Sequence, residues 1–417
     1  MTTGEDKIVT GTRTGNGTRA GSRRRRRVGM GLAASVVLGL VVTACSSDSG
    51  STASSASSSS PSSSKPTDCP AAQGPGGAPA GQTGSGAPGK PAGGPAITIA
   101  KTVKASDTST STVIDGAGAQ IECGKTQITT HSDVVYSSPT TGGKKTDLKL
   151  DLQLPKGDGK KPLIVYMTGG GFAMADKTGN LNQRTYVAEQ GYAVAGIQYR
   201  TATTGATYED AVQDVKSAIR YLRAHADEYG IDSAHVAVWG QSAGGYLAAM
   251  TGTTNGVKQF EAGDNLDQSS DVQAVVDEFG PGDLSKTASD FDAATQKRYV
   301  EAGSSTAKFV FGADSKKKLT DDPSAIKAAD PSTYADSSDP AFVILHGSDD
   351  HLVSPSQTLA LHNTLRDKGA DSTRYVVKGA DHGDLSFMGG DSKTGLKWSS
   401  QEVMGDIVTF LGKHLNG

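Results

Sequence analysis

The sequence has almost no excess of charge of either sign. Its 417 residues include 41 Lys and Arg against 44 Asp and Glu, which gives a formal net charge of -3. Outside five consecutive arginines at residues 23–27, it has no basic run and no stripe of alternating basic and aromatic residues. Proteins that bind nucleic acid carry such clusters to neutralise the phosphate backbone. The composition therefore argues against nucleic acid as a partner.

Cysteine is scarce as well, with three residues in the whole sequence. No cluster of cysteine, histidine or carboxylate has the spacing of metal ligands, so we expect no metal centre and no cofactor. The sequence also shows no internal repeat. Residues 97–417 are long enough to bury a substantial core and are predicted to form one domain.

An apolar run at residues 28–44 follows the five arginines. It is too short and too sharply bounded for an ordinary transmembrane helix, but it has the charge and length of a signal peptide. The run ends in VTAC at residues 42–45, which resembles the bacterial lipobox. By that resemblance residues 1–44 are removed, Cys45 carries lipid, and the protein is held outside the cytoplasm on the bacterial cell membrane. An uncleaved anchor or an unmodified cysteine is the alternative, and the export route, Sec or twin-arginine, stays open.

Residues 45–96 are rich in serine, then in glycine, proline and alanine, with almost no large apolar side chain. Such a segment cannot offset the entropy of ordering, so it is predicted to be a disordered tether. It contains Cys69, and Cys123 lies near the start of the domain. Export to an oxidising compartment favours a disulfide between them, with two independent thiols as the alternative.

Within the domain, the apolar pattern predicts alternating strands and helices. Residues 148–154 alternate apolar and polar residues, as a half-buried antiparallel strand does. Residues 163–167 and 192–197 are continuous apolar runs typical of buried parallel strands. The pattern predicts a mainly parallel sheet with helices on both faces. Further predicted strands are residues 235–239, 272–276, 341–345 and 374–377, and predicted helices are residues 182–190, 208–229, 246–250, 355–368 and 401–414.

Ser242 lies in the sequence GQSAG at residues 240–244, between a predicted strand and a predicted helix. A turn this tight forces the serine into a strained conformation and requires small neighbours on both sides. The helix that follows directs its amides to the same point. In a chain rich in glycine and serine the pattern alone is weak, but its placement between strand and helix makes it specific. Ser242 is therefore predicted to be a nucleophile.

A serine hydroxyl requires a base to take its proton, and the base requires a carboxylate to hold it. On such a sheet, both partners follow later strands in the order serine, acid, histidine. Of the later histidines, His382 alone lies in a glycine-flanked loop directly after the last predicted strand. The acid is expected after residues 341–345, where Asp349 and Asp350 are adjacent. The residues alone leave the choice between these two aspartates open.

The tetrahedral intermediate of acyl transfer also requires donors for its oxyanion. Three glycines at residues 169–171 follow the predicted strand 163–167, and bare backbone amides there can approach a reacting oxygen. Ala243 places a further amide next to the nucleophile. A plain flexible turn is the alternative for the glycine run.

From residue 133 to residue 417 the chain resembles the α/β-hydrolase superfamily, and within it the carboxylesterases of the hormone-sensitive-lipase-like and feruloyl-esterase-like branches. The motifs that carry the resemblance are LDLQLP (150–155), GGGF (169–172), YR (199–200), EYGID (228–232), VWGQSAGG (238–245), FGPGD (279–283), HGSDD (346–350) and HG (382–383). The resemblance implies an α/β-hydrolase fold. It assigns Ser242 as nucleophile, Asp350 as acid, His382 as base, and the amides of Gly170, Gly171 and Ala243 as oxyanion donors.

The chain departs from these esterases at one position of the glycine loop, and its predicted cap segment has an unusual composition. Related enzymes usually have a histidine before the three glycines, where this chain has Thr168, whose hydroxyl offers a substitute brace for the loop. Residues 284–334 lie where relatives insert a helical cap, and they are rich in lysine and aspartate without long apolar faces. A lipase would need such faces to act at an oil interface, so we expect the substrates to be short-chain esters.

These features together predict a lipid-anchored serine esterase that forms an acyl-enzyme. Its expected partners are a small-molecule ester, with an acylated carbohydrate suggested by family analogy, and the membrane through the N-terminal lipid. A peptidase or amidase of the prolyl-oligopeptidase type is a second reading, although no propeller domain precedes this one. An inactive surface binding module is a third, and it is disfavoured because all three triad positions are filled.

Overall fold

A computed structural model of the chain describes residues 67–69, 98–383 and 392–416. The predicted signal peptide, Cys45 and most of the predicted tether lie outside these residues. Among the helices that the structure describes, none is long and apolar enough to cross a bilayer.

Nine strands of the described residues form one sheet, in the order β2-β13-β12-β11-β10-β8-β9-β7-β4. Neighbours from β2 to β9 are parallel, while β7 and β4 add to the far edge in antiparallel orientation. The strand bounds are β1 Thr67–Asp68, β2 Thr112–Ile114, β3 Glu122–Cys123, β4 Ile128–Ser137, β5 Thr140–Thr141, β6 Lys144–Lys145, β7 Leu148–Pro155, β8 Lys161–Met167, β9 Ala193–Ile197, β10 Ile231–Gln241, β11 Ala274–Glu278, β12 Ala341–Gly347 and β13 Ser372–Val377.

Helices cover both faces of this sheet. Their bounds are α1 Leu181–Glu189, α2 Tyr208–Ala224, α3 Ala226–Tyr229, α4 Ala243–Thr253, α5 Ala293–Val300, α6 Ser305–Phe311, α7 Pro323–Ala328, α8 Ser356–Lys368, α9 Ser392–Gly395 and α10 Gln401–Leu415. Side chains alternate along β8, as the period of a strand requires. Leu163 and Val165 face the core shared with α2 and α4, and Ile164 and Tyr166 face the core shared with α1 and α10. The predicted parallel sheet with helices on both faces is confirmed.

Element boundaries differ from the predictions at two places. The helix predicted over residues 208–229 is divided at His225, whose backbone leaves the helical region with ψ 17°. The strand predicted over residues 272–276 runs from Ala274 to Glu278 instead. Two carboxylates, Asp277 and Glu278, therefore end a fully buried strand. A search for apolar runs stops before charged residues, so it missed this extension.

Residues 284–334, the predicted cap, contain the three short helices α5, α6 and α7. Each begins at a side chain that accepts hydrogen bonds from the first-turn amides, namely Asp292, Ser304 and Asp322. Such capping satisfies amides that have no partner within the helix. Polar residues in this segment thus serve as helix starts rather than as core.

A disulfide joins Cys69 to Cys123. Next to it, Thr67–Asp68 pairs with Glu122–Cys123 as a short antiparallel ladder. Residues 67–69 lie inside the segment predicted as a tether, and the disulfide attaches them covalently to the folded domain.

Arg200 ties the region after β9 to the helix α2. Its guanidinium donates to both carboxylate oxygens of Asp214 at 2.8–3.0 Å and to Asp210 at 2.7 Å. Asp214 is buried, and burial raises its pKa to about 6 even though the guanidinium lowers it. The ion pair is thus almost completely removed from water.

Breaking this pair from one side should destabilise the fold strongly. We expect Arg200→Met to lower the free energy of unfolding by about 3–5 kcal/mol, because it leaves a buried carboxylate without its cation. Urea denaturation followed by circular dichroism measures this difference. The matched control is Lys160→Met, which breaks the exposed Lys160–Asp227 pair and should cause no measurable change. Equal effects of the two variants would show that the buried ion pair contributes no more to the free energy of unfolding than the exposed one.

Candidate active site

Ser242 lies at the sharp turn between β10 and α4. Its backbone has φ 55° and ψ -119°, in the region that side-chain-bearing residues rarely adopt. The small neighbours permit the turn, because a Cβ on Gly240 would clash with the carbonyl of Gly244, and one on Gly244 would clash with that of Met167. The amide of Ser242 donates to the carbonyl of Glu278 at 2.9 Å. The turn is thereby fastened to the neighbouring strand β11.

The loops after β12 and β13 bring a carboxylate and an imidazole to this serine. Nε2 of His382 lies 2.8 Å from Oγ of Ser242, and Nδ1 of the same ring lies 2.8 Å from Oδ2 of Asp350. Because a carboxylate only accepts, Nδ1 carries the hydrogen and Nε2 is free to accept the serine proton. The ring edge of Phe279 packs against His382 with centroids 4.7 Å apart. This arrangement allows proton transfer from a serine that attacks a carbonyl.

The structure distinguishes between the two adjacent aspartates. Asp350 is fully buried, and its Oδ1 accepts from the amides of Leu352 and Val353 at 2.8 and 2.7 Å. Burial raises the pKa of Asp350, but the charge of His382 and the hydrogen bonds from His346 and His382 outweigh it and hold that pKa well below its usual value. Asp349 is exposed and accepts from the hydroxyl of Ser348. Of these two aspartates, only Asp350 has a hydrogen bond with His382 in the described part of the chain.

The glycine run after β8 lies directly against the serine turn. A Cβ on Gly169 would come within 2.9 Å of Cβ of Ser242, so the close approach requires glycine. Gly171 has φ 57°, which also favours glycine. Across residues 98–383, no protein acceptor contacts the amide of Gly170 or Gly171. Ala243 is the first residue of α4, and its amide has no partner within that helix. These three amides are placed as candidate oxyanion donors.

Thr168 braces the loop that contains the three glycines. Its hydroxyl donates to the carbonyl of Asp176 at 2.6 Å, and its own carbonyl accepts from the hydroxyl of Tyr199 at 2.7 Å. The first bond joins the two ends of the loop 168–176. The second attaches the loop to the residue before Arg200. The hydroxyl of threonine thus supports the glycine loop at this position.

A buried polar network beneath the serine turn was missed by sequence reasoning. The side-chain amide of Asn180 donates to Tyr166 at 2.6 Å and to Gln241, which in turn donates to Glu278 at 2.9 Å. Trp239 also donates to Glu278, at 2.6 Å. Burial raises the pKa of Glu278 to about 7. The only signal in the sequence was the pair of acidic residues at the end of an apolar run, and nothing there showed which groups they meet.

A cavity of about 560 Å³ opens beside Ser242 and His382. Phe172 and Met174 line it, and the ring of Phe172 stacks on Phe309 with centroids 4.4 Å apart. Polar residues from the segment 284–334 and from the N-terminal end of the domain line it as well. These are Thr98, Thr287, Arg298, Glu301, Ser304, Ser305 and Thr306.

Metal chemistry was not expected from the sequence. In the described part of the chain, no group of three or more histidine, cysteine or carboxylate side chains is placed to hold a metal ion.

A match to a protein-family model identifies the family of this chain. The profile of the BD-FAE family matches residues 150–365, slightly more than half of the sequence. The chain belongs to the BD-FAE family. The match includes Ser242 and Asp350, and His382 lies beyond its end. Together with the observed sheet, this membership confirms the predicted α/β-hydrolase fold.

Relatives of this BD-FAE member are named as esterases. It is 28% identical over 265 residues to "Probable isoprenylcysteine alpha-carbonyl methylesterase ICMEL1" of Arabidopsis thaliana, a match that covers 63% of this chain and 53% of that protein. It is 27% identical to "Esterase LipQ" of Mycobacterium tuberculosis, over 59% of this chain and 55% of that protein. The chain thus spans about half the length of these curated relatives.

Among solved structures, the chain is similar to a truncated form of a carbohydrate esterase from gut microbiota. The TM-score is 0.55 and the sequence identity 27%, and the match covers 69% of this chain and 97% of that one. The similarity therefore extends over nearly the whole of the solved domain.

The two aspartates after β12 provide a direct test of the site. We expect Asp350→Asn to lower kcat by about 10⁴-fold, as the same change does in serine proteases, because asparagine leaves the imidazole in the wrong tautomer. Asp349→Asn is the matched control, one residue away and exposed, and its kcat should stay near that of the wild type. Steady-state hydrolysis of a chromogenic ester measures both. Equal losses, or a greater loss at Asp349, would contradict the assignment of the acid.

Proposed function

We propose that the chain is a serine esterase that cleaves short-chain carboxylic esters through an acyl-enzyme. The observation that carries this proposal is the hydrogen-bonded series from Ser242 through His382 to Asp350 at the mouth of the cavity. Family membership and the names of the relatives support ester hydrolysis as the reaction.

The reaction begins when Oγ of Ser242 attacks the ester carbonyl and Nε2 of His382 takes the hydroxyl proton. The amides of Gly170, Gly171 and Ala243 stabilise the oxyanion that forms. Asp350 stabilises the imidazolium without taking its proton. The imidazolium then protonates the departing alcohol and leaves the acyl group on the serine. In the second half, the same imidazole takes a proton from a water molecule that attacks the acyl carbon and forms a second oxyanion. The bond between that carbon and Oγ of Ser242 then breaks, the imidazolium returns its proton to Oγ, and the acid is released.

Removal of the nucleophile tests the mechanism. We expect Ser242→Ala to lower ester turnover by roughly a factor of a million, as loss of the serine does in unrelated serine hydrolases. A fluorophosphonate probe should label the wild type and leave the variant unlabelled, since the probe reacts with an activated serine. Labelling that persists in the variant would place the nucleophile elsewhere.

The apolar part of the cavity indicates a small acyl group. Phe172 is backed by Phe309 and, at a centroid distance of 5.4 Å, by Tyr246, so its ring cannot move aside easily. The hydroxyl of Tyr246 is itself held by the carbonyl of Ala329 at 2.6 Å. The segment 284–334 adds mainly polar side chains to the lining. Such a wall suits an acetyl to butyryl group better than a long chain.

The acyl-length profile should therefore have an early maximum. We expect kcat/KM to rise from acetyl to butyryl esters and then fall, because each methylene gains at most about 1–3 kcal/mol until the pocket is filled. A series of nitrophenyl esters with peptide anilides alongside measures the profile. A steady rise to about twelve carbons would indicate a lipase, and cleavage of the anilides in place of the esters would indicate a peptidase.

The alcohol that leaves is proposed to be water-soluble, such as a carbohydrate. Hydroxyl groups of Thr98, Thr287 and Ser304, together with Arg298 and Glu301, offer donors and acceptors around the cavity. A structural relative described as a carbohydrate esterase supports the same class. Acetylated sugars are accordingly the first natural substrates to assay.

Attachment to the outer face of the cell membrane through lipidated Cys45 remains a proposal that rests on the sequence at residues 23–45. We expect the wild type to partition with membranes and Cys45→Ala to be released or mislocalised, because the lipobox cysteine is the site of acylation and two or three acyl chains hold a protein firmly. Fractionation and mass spectrometry of the N-terminus measure this. An unmodified N-terminus upstream of Cys45 would contradict the proposal.

A further inference from the structure

A second histidine, His346, contacts the carboxylate that holds the base. It lies in β12 four residues before Asp350, and both side chains are completely buried. Its Nε2 lies 3.2 Å from Oδ2 of Asp350 and 3.0 Å from the carbonyl oxygen of Val353. Oδ2 is the same oxygen that contacts Nδ1 of His382. The carboxylate oxygen therefore lies between two imidazoles.

The partners of His346 determine its tautomer. A carboxylate and a backbone carbonyl only accept, so Nε2 must carry a hydrogen, which it donates to the carbonyl of Val353 while Oδ2 of Asp350 lies 3.2 Å from the same nitrogen. Nδ1 lies 2.8 Å from the hydroxyl oxygen of Thr358. Burial lowers the pKa of His346, which favours the neutral ring. In that ring Nδ1 is an acceptor, and the hydroxyl of Thr358 donates to it.

Arg374 in turn orients that hydroxyl. Its Nε, which can only donate, lies 3.1 Å from Oγ1 of Thr358 and occupies an acceptor position of the hydroxyl. The other ends of the guanidinium are held by Ser111 at 2.8 Å and by the carbonyl of Pro355 at 2.9 Å. Because Arg374 is buried and bonded on all sides, the hydroxyl hydrogen is left to point toward His346.

We propose that His346 is a positioning residue for the acid of the triad, with its donating Nε2 fixed by Thr358 and Arg374. It holds Asp350 directly at Oδ2 and indirectly through Val353, whose amide donates to Oδ1 of Asp350 at 2.7 Å. The carboxylate is thereby kept at the angle at which one oxygen serves His382. This proposal rests on the proposed function, since it concerns the same serine and base.

Variants of His346 separate positioning from mere packing. His346→Leu fills the buried space with an apolar side chain and removes the N–H donor. We expect kcat to fall about 10- to 100-fold while KM stays within about two-fold. His346→Gln restores a donor N–H and should keep kcat within about five-fold of the wild type. The matched control is His362→Leu, which removes another buried histidine whose partners are Ser372 and the carbonyl of Thr110. That control should lose stability without losing kcat.

Variants of Thr358 test the same proposal if His346→Leu does not fold. Thr358→Val removes the hydroxyl at nearly constant shape, and Thr358→Ser retains it. We expect kcat to fall about 10-fold in the valine variant and to return toward the wild-type value in the serine variant. Equal kcat values within this pair would overturn the proposal. So would equal losses in His346→Leu and His346→Gln, or a loss in His362→Leu as large as that in His346→Leu.

A second readout separates this proposal from the proposed function. The rate at which a fluorophosphonate labels Ser242 reports activation of the serine without any assumption about the natural substrate. We expect the labelling rates to follow the same order as kcat across the variants. Absence of ester turnover in the wild type would refute the esterase proposal, and the labelling rates would still decide whether His346 acts on the triad.

Discussion

The backbone of Ser242 is the constraint on which the site depends. A backbone conformation with φ 55° costs about 1–3 kcal/mol for a residue other than glycine. The turn persists because the packing around it holds the backbone in this conformation. The surrounding glycines allow β8, β10 and α4 to approach each other at distances that exclude even a methyl group. The same close approach brings the amides of the glycine loop next to the serine hydroxyl. Tight backbone packing thus positions both the proposed nucleophile and the proposed oxyanion donors.

Two fully buried carboxyl groups near the site, those of Asp350 and Glu278, have pKa values shifted in opposite directions. Asp350 retains its negative charge because amides and imidazole N–H groups surround it, whereas Glu278 has a pKa raised to about 7 by its burial. Asp350 lies in the loop that follows β12, and Glu278 is the last residue of the neighbouring strand β11. Their difference follows from the number and charge of their donors and not from depth, since both are fully buried. Local hydrogen bonding therefore decides which carboxyl can hold an imidazolium.

Much of the fold and part of the site could be predicted from the sequence. Parallel strands place their carboxyl ends at one edge of the sheet, so the loops that carry Ser242 and His382 could be identified from the GQSAG sequence, the glycines beside His382 and the order of the predicted strands along the chain. The choice of Asp350 over Asp349 came from the resemblance to carboxylesterases and not from the residues alone, because adjacent residues in a turn point in different directions and the folded loop determines which one is buried. The contacts of Thr98 and Glu278 were beyond prediction for a related reason. They depend on segments far apart in sequence, and local periodicity carries no information about such contacts.

The disulfide between Cys69 and Cys123 has a consequence for proteolysis of this part of the chain. The disulfide closes a covalent loop of the chain that contains residues 70–122. A protease that cuts this loop once, at any position, leaves the upstream piece attached to the domain. Separation requires a cut before residue 69, or a cut in the loop together with reduction of the bond. In an oxidising surrounding, the domain would thus survive a nick in the stretch between the cysteines with its N-terminal piece still attached.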